Sequence, residues 1–516
     1  MLGKRDRQTR LFGAAAELGS KAVARMGVYG KLAAQGHGLF RDEDFTDAYC
    51  NTNGRPSTPP SLLALARLLQ HYEGISDADV IERCRYDLRW KVVLDLDLAS
   101  IEAPFAKSTF QAFRTRLTLH DKEGLAFDKS VCAAKNARLL PEQLRVALDS
   151  SPVRGRGAVK DTFNLLSDAI VKVVRALADK QERPVDEVAQ EAQVKRHLDE
   201  PSIKGSQIVD WDKAEAVSAF LSGLLQDSQR IVALADKAQC ATDEVALLRK
   251  IIAQDVETDP ASGSARIRDG VTPDRVVSAH DPEMRHGHKS NGKVYNGHKL
   301  HVAVETNHGI IIALDLTAPA QPDGAQVGTL LEQTCKATGS SVEQALGDTA
   351  YSTRTAIEQT PACVELVTKM ASPPKGRFGP EAFSVSPDGC SATCPAGHPA
   401  AKTLRRDGGV IHFWAPEQCG TCPLKAACTK VAKRSLRVLP DFHDRRRRER
   451  YARSEEGRRV LRRRVAVEHA TGRLKNLGAG TARYFGRTKT KAQLLWTAAV
   501  VNLCRTWSAG GAPGLA

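Results

Sequence analysis

Apolar positions recur at helical spacing through the first 140 residues. After Pro59-Pro60-Ser61 the run LLALARLLQHY places apolar side chains every three or four positions, and Gly74 stops it. Ser76 reads as the N-cap of a second helix over DADVIERCRYDLRWKVVLDL, and a third begins at Ser108 with TFQAFRTRL. The pattern changes at Arg145, where RVALDSSPV predicts a short buried strand ending in a turn, with Asp149 at the strand end. Residues 160–255 return to the helical period in VSAFLSGLLQDSQRIVALADKA and DEVALLRKIIAQ. KVYNGHKLHVAVE and IIIALDLTA then alternate as strands around the turn Asn307-His308-Gly309. VGTLLEQTCKA predicts a helix, and EQALGDTAYST a strand running into Asp348. Residues 371–440 are rich in Pro, Gly and Cys, and from Asp441 the pattern is helical and strongly basic. Together these elements predict an α/β protein.

The chain has 516 residues, enough for two to four domains, with 42% hydrophobic and 26% charged residues, a globular composition. Lys and Arg number 75 against 60 Asp and Glu, a net charge of +15, which favours a polyanionic partner, nucleic acid ahead of a membrane surface. The longest apolar run, near Leu494–Cys504, falls short of the roughly 20 residues a membrane span needs. The N-terminal MLGKRDRQTRLFGAAAEL has an apolar stretch interrupted by Glu17 and reads as a mature end, not a signal peptide. The expected location is a reducing compartment. In that reducing compartment the 12 cysteines are thiols or metal ligands.

The N-terminal helices, with Arg114 and Arg116 on the third, fit either a helix-turn-helix DNA-binding unit or a plain bundle. Asp149 and Asp348 at strand ends and Glu468 on a helix could converge on two Mg²⁺ ions, which take oxygen ligands and clamp the two oxygens of an in-line phosphoryl displacement. Taken singly, each reads first as an ordinary surface or capping acid. Arg464, Glu468 and Lys475 follow R-x3-E-x6-K, which places two cations and a carboxylate on one helical stripe. From Asp441 to Lys475 there are 13 basic and 6 acidic residues, and RRRRER and RRVLRRR, the latter starting at Arg458, predict a phosphate-contacting helix leading to Glu468.

Five cysteines fall between Cys390 and Cys428, as C-x3-C-P-A-G-H followed by C-x2-C-x5-C. That spacing suits a structural tetrahedral Zn²⁺ held by Cys394, Cys419, Cys422 and Cys428, with Cys390 or His398 able to replace Cys394. A loop of free thiols is the plainer reading. GHKSNGK over Gly287–Lys293 starts like a phosphate-binding loop, but Val294 stands where a Ser or Thr should be and the context is a hairpin. His286, His288, His298 and His301 read as hairpin packing, and Asp281 and Asp323 as capping or turn acids that could compete for a metal role.

The R-x3-E-x6-K run resembles the C-terminal Y-x2-R-x3-E-x6-K signature of bacterial insertion-sequence transposases with an RNase H-like DDE core. Leu461 stands at the Tyr position, and Tyr451 is out of register. RVALDSSPVRGRGAVKDTFNLL resembles the family's first-Asp segment, DPEMRHGHKSNGKVYNGHKLHVAVE its hairpin, ALGDTAYST its second-Asp segment, and residues 41–97 its N-terminal helical domain. With the cysteine cluster, the chain is most similar to insertion-sequence family eleven-eighty-two.

The resemblance implies an RNase H-like mixed-sheet core with Asp149, Asp348 and Glu468 as the triad holding Mg²⁺ or Mn²⁺. It implies cutting at a transposon end and attack of the freed 3′-OH on target DNA, with Arg464 and Lys475 holding the end. Its DNA partners would be terminal inverted repeats and target, bound by a homodimer or larger assembly. The acids are 199 and 120 residues apart, which implies insertions within the core. The expected domains are a DNA-binding helical unit over 1–140, core over 141–162, a helical insertion over 163–262, core again over 263–370, the Cys-rich insertion over 371–440 and core helices over 441–516. A nuclease of the same fold without strand joining, and a non-catalytic DNA-binding regulator, are the alternatives.

Overall fold

The computed structural model describes residues 1–5, 13–50, 54–206, 208–259, 263–290, 292–510. Part of the N-terminal segment and Asn291 of GHKSNGK lie outside them.

The N-terminal helices begin and end where side chains can satisfy their free backbone groups. Helix α1 (Pro60–Glu73) ends at Gly74 in the left-handed region (φ +72°), which a residue without Cβ adopts freely. Ser76 caps α2 (Asp77–Tyr86): its hydroxyl accepts the Asp79 N–H at 3.2 Å, and the Asp79 carboxylate accepts the Ser76 N–H at 2.9 Å. The single helix expected from Ser76 to Leu96 is in fact two. Asp87 is extended, and its carboxylate takes the Arg89 N–H at 2.9 Å to cap a new helix over Leu88–Leu94. Helix α3 spans Lys107–Leu119.

Strand β1 (Gln143–Arg154) is longer than the sequence predicts. It does not turn after Asp149 but continues through Pro152, which pairs with Lys299. A proline is tolerated there because the parallel neighbour pairs only up to Ala147, leaving that flank of β1 without a ladder to break. Helices α4 (Thr162–Lys180), α5 (Ala214–Ala238) and α6 (Thr242–Asp255) follow and bury their apolar faces against one another in a core of their own.

The sheet is completed by β2 (Arg285–Ser290), β3 (Lys293–Glu305), β4 (Ile311–Thr317), β5 (Ser341–Gly347) and β6 (Glu365–Thr368), with α7 (Val327–Thr338) before β5. Its order is β2-β3-β1-β5-β6, and β4 also pairs with β3. β1, β5 and β6 are parallel, and β3 is antiparallel to β1. The turn after β3 is fixed by buried Glu305, whose carboxylate accepts the Asn307 and His308 N–H groups at 2.7 and 2.6 Å.

Residues 371–440 form a small unit around a three-stranded antiparallel sheet (Lys402–Arg406, Gly409–Phe413, Ser435–Val438). Its buried core is only Phe383, Ala392, Trp414, Leu436 and Val438.

The basic C-terminal run is not one helix. It breaks into α8 (Phe442–Arg453), α9 (Glu455–Arg462) and α10 (Val465–Leu474). Ser454 is extended and its hydroxyl accepts the Gly457 N–H at 3.1 Å, a cap that starts α9. Lys475 opens a π-helical turn over Lys475–Ala479, and α11 (Arg487–Ser508) ends the described chain.

Helix α11 joins the ends of the molecule. Trp496, Ala499, Val500 and Leu503 pack into the N-terminal helical core, while Leu494, Leu495, Ala498 and Val501 pack on the sheet. The N-terminal helices thus close their core only with residues from the far end of the chain.

Candidate active site

The pleat of β1 sends alternate residues to opposite layers. Val146 and Leu148 face the layer of α7, and Ala147 faces the layer of α10 and α11. Asp149 shares the parity of Ala147. On the neighbouring parallel strand Ala147 pairs with Leu346, which also faces the α10 layer, so Asp348 continues that register beside Asp149. Two carboxylates separated by 199 residues are therefore neighbours, Asp149 on β1 and Asp348 on the residue that follows β5, and Asp348 bears on the charge of Asp149.

The electrostatics agree with this placement. Burial pushes the Asp149 carboxyl up to about 6. The Ser150 amide and Arg464 oppose the rise, while Asp348 and Asp323 add to it. Asp348 is half-buried at the head of the short helix Thr349–Tyr351, where its carboxylate accepts the Ala350 N–H at 2.9 Å.

Helix α10 packs on this layer, and Glu468 is not among the main charges acting on Asp149. Val467, Ala470 and Leu474 are buried with Ala147 and Leu346. Glu468 lies on its first turn and is exposed. The helix break at Arg463-Arg464 leaves the expected one-turn relation intact, since the Glu468 N–H still donates to the Arg464 carbonyl at 3.4 Å. Arg464 is near enough to lower the pKa of Asp149, and its Nε is buried without a hydrogen-bond partner. Lys475 also feels Asp149. Burial and Lys289 hold its ammonium below the ordinary range, and Asp149 opposes them.

Two neighbours escape the sequence reading in different ways. Asp323, read as a turn or capping acid, accepts from Ser150 Oγ at 2.9 Å and Lys299 Nζ at 3.0 Å, and it bears on Asp149. Tyr351 was not singled out at all. Its hydroxyl is buried without a partner and surrounded by Asp323, Asp149 and Asp348, which with burial raise its pKa well above the usual value. The only signal is its position three residues after Asp348.

Other expected residues lie elsewhere. Arg114 is engaged inside the helical unit, pairing with Asp77 through both terminal nitrogens, one at 2.7 Å. Arg116 stacks on the Tyr49 ring at 4.7 Å. Arg458 is exposed on α9. The four imidazoles do not form one group: His286 and His288 stack at 4.9 Å on the exposed hairpin, while His298 and His301 are buried in β3. Asp281 is fully buried and accepts the Gly486 N–H at 3.2 Å. GHKSNGK lies across the β2–β3 hairpin rather than in a strand-loop-helix, as expected.

Cys394, Cys419, Cys422, Cys428 and His398 line one cavity of about 30 Å³. Burial raises the Cys428 thiol pKa, Arg434 opposes, and the other three thiols raise it further. Cys390 sits apart, with its Sγ 3.6 Å from Arg405 Nη2. No group of three or more His, Cys, Asp or Glu among the described residues is arranged to hold a metal ion, so neither a preformed zinc tetrahedron nor a preformed divalent-metal site at Asp149, Asp348 and Glu468 is shown.

No helix among the described residues is long and apolar enough to cross a membrane. No curated protein and no solved structure matches the chain. Residues 393–507, which carry Arg464, Glu468 and Lys475, match the family model described as transposase DDE domain. Residues 37–116 match that of the transposase domain DUF772. Asp149 and Asp348 lie outside both segments. Two transposase matches at separate places on one chain, over a mixed α/β fold, support a DDE-type transposase, a nucleic-acid-processing enzyme.

Proposed function

We propose that the chain is a DDE transposase that cuts transposon DNA ends and joins the freed 3′-OH to target DNA, with Asp149, Asp348 and Glu468 as its triad on an RNase H-like core of the family eleven-eighty-two type. The observation that carries this reading is the register of β1 and β5, which sets Asp149 beside Asp348 on the face covered by α10. The acids fit a divalent cation by their chemistry, although the described residues hold no three-ligand group already arranged for one: they offer hard oxygen ligands, and an Asp149 carboxylate disfavoured by burial and by like charges gains from a nearby positive ion. When bound, Mg²⁺ or Mn²⁺ supplies Lewis-acid stabilisation of the phosphoryl oxygens and a more acidic water. Asp149, Asp348 and Glu468 would hold the ions. Arg464 and Lys475 bind and orient the strand by taking the phosphate's other oxygens, and they neutralise charge that builds in the transition state.

The test is joining of a labelled element end to a target plasmid with Mg²⁺, by a dimer or larger complex that pairs two ends. Joined product supports a transposase. Cleavage without joining assigns a nuclease, and binding without cleavage assigns a regulator.

Exposed Arg458, Arg459, Arg462 and Arg463 on and beside α9 supply the proposed phosphate track. Removing Arg458 and Arg462 together should reduce the slope of log affinity against log salt by about 2, measured on duplex DNA. An unchanged slope rules out this track.

From its cysteine spacing we propose that the Cys-rich unit carries a structural zinc held by Cys394, Cys419, Cys422 and Cys428, a site the described residues do not hold preformed. Its cavity admits little more than one small ion or water, and a core of five residues is thin without a cross-link. Cys422→Ser should lower zinc bound per chain by at least tenfold in native mass spectrometry and loosen residues 371–440. Unchanged metal content excludes the assignment.

A further inference from the structure

A cavity of about 370 Å³ opens between α3 and α11, lined among others by Arg67, Arg114, Glu123, Tyr484, Lys489 and Trp496. Arg67 projects from α1, and the whole residue is only 3% exposed. Its guanidinium stacks over Trp496 at 5.0 Å, yet its Nε and Nη1 have no hydrogen-bond partner.

A buried guanidinium without a paired anion is costly. Burial pushes the Arg67 pKa down to about 10, and Arg114 adds to the effect. The Tyr484 hydroxyl and Asp77 are the groups that favour its charge. Asp77, however, is already engaged by both terminal nitrogens of Arg114 and by Gln70 and Gln111. Glu123, the acid on the cavity wall, is not among the main charges acting on Arg67. Arg114 stacks on Tyr484 at 5.2 Å, and Lys489 stands exposed on the wall. The lining thus has a cationic end whose Arg67 Nε and Nη1 lack partners, and the Oε2 of Glu123 on the wall is likewise buried without a partner.

We propose that this cavity is an oxyanion site in which Arg67, assisted by Arg114 and Lys489, receives a phosphate group. Two sources share that chemistry: a backbone phosphate of bound DNA and free phosphate. The anion site stands without the transposase reading, since it depends only on the uncompensated guanidinium and the space beside it.

The experiment uses the full chain and does not read strand cleavage, so its failure is separate from failure of the enzymatic assignment. Inorganic phosphate is titrated against chloride at equal ionic strength while the thermal midpoint is followed. The midpoint should rise by several degrees in wild type and stay fixed in Arg67→Met, which keeps an apolar stem against Trp496 and removes the charge. Lys489→Met, at an exposed position, should weaken the phosphate response about tenfold while preserving the fold, so the site remains testable if Arg67→Met does not fold. In parallel, binding to a random-sequence duplex is measured against salt. A slope smaller by about 1 in either variant assigns the site to DNA phosphate. An unchanged slope with a lost phosphate response assigns it to free phosphate. No phosphate response in wild type together with unchanged slopes overturns the proposal.

Discussion

Asp149→Asn should reduce strand cleavage on the order of 10³-fold or more while leaving duplex affinity within a few-fold of wild type. Asn is isosteric, so β1 should keep its pairing to β3 and β5. What changes is the charge at the centre of the group. Asp149 feels Asp348, Asp323, Arg464 and Lys475, so it is the acid to which most of the other members are coupled. Loss of one positioned electrostatic partner commonly costs 10² to 10³ in rate, and loss of a carboxylate that holds cations removes more than one such contact. The phosphate contacts proposed for α9 are untouched, so binding should persist. Cleavage of a labelled element end and filter binding of the same DNA are the two readouts. Retained cleavage removes Asp149 from the site. Cleavage and binding lost together point instead to misfolding, which a thermal midpoint distinguishes.

Glu468→Ala should give the same split between cutting and binding, because Glu468 is exposed and its helix is held by Val467, Ala470 and Leu474. Asp323→Asn separates the acids differently. Asp323 is already engaged by Ser150 and Lys299, so this change should leave cleavage within about tenfold of wild type. A loss as large as that of Asp149→Asn would make Asp323 a fourth member of the triad's group.

Local signals in the sequence survive folding where the backbone answers to neighbours a few residues away. Ser76 and Gly74 cap the helices they precede and follow, and the Asn307-His308-Gly309 turn closes the hairpin. Asp348 stands where its strand ends. Two of the misses depend on distant partners, and one on a local cap. Pro152 reads as a strand stop, but β1 passes through it because β3 pairs on one side and β5 has already ended on the other. The arginine-rich run reads as one helix, because Ser454 is a weak break until its hydroxyl is seen capping Gly457. Tyr351 is invisible as a site neighbour until β1 and β5 are laid side by side. The three acids themselves are legible through the resemblance, whereas the nearness of Asp149 and Asp348 shows only once β1 and β5 are laid side by side.

The largest loss of stability should come from Asn502, a residue that no sequence pattern marks. It sits fully buried on α11, facing the start of β4. Its Oδ1 accepts the Ile311 N–H at 2.8 Å, and its Nδ2 donates to the Ile311 carbonyl at 2.8 Å and to Ser130 Oγ at 3.1 Å. The β3–β4 ladder shifts register between Ala303 and Val304, at the pairing with Ile311, so a side-chain amide stands in for a strand partner there. Asn502→Leu keeps the volume and avoids a large cavity, but it strands the two backbone groups of Ile311 away from water. Each buried unsatisfied group costs about 1–3 kcal/mol, so the substitution should destabilise the sheet layer by roughly 3–5 kcal/mol. The measurement is a denaturant midpoint combined with hydrogen exchange at the Ile311 amide, which should lose protection before its neighbours in β3. Protection equal to wild type would show that water or a shifted strand replaces the amide. The loss should also reach the N-terminal helices, because the same α11 carries Trp496 and Leu503 into their core. A destabilisation confined to the sheet would mean that the two faces of α11 unfold independently.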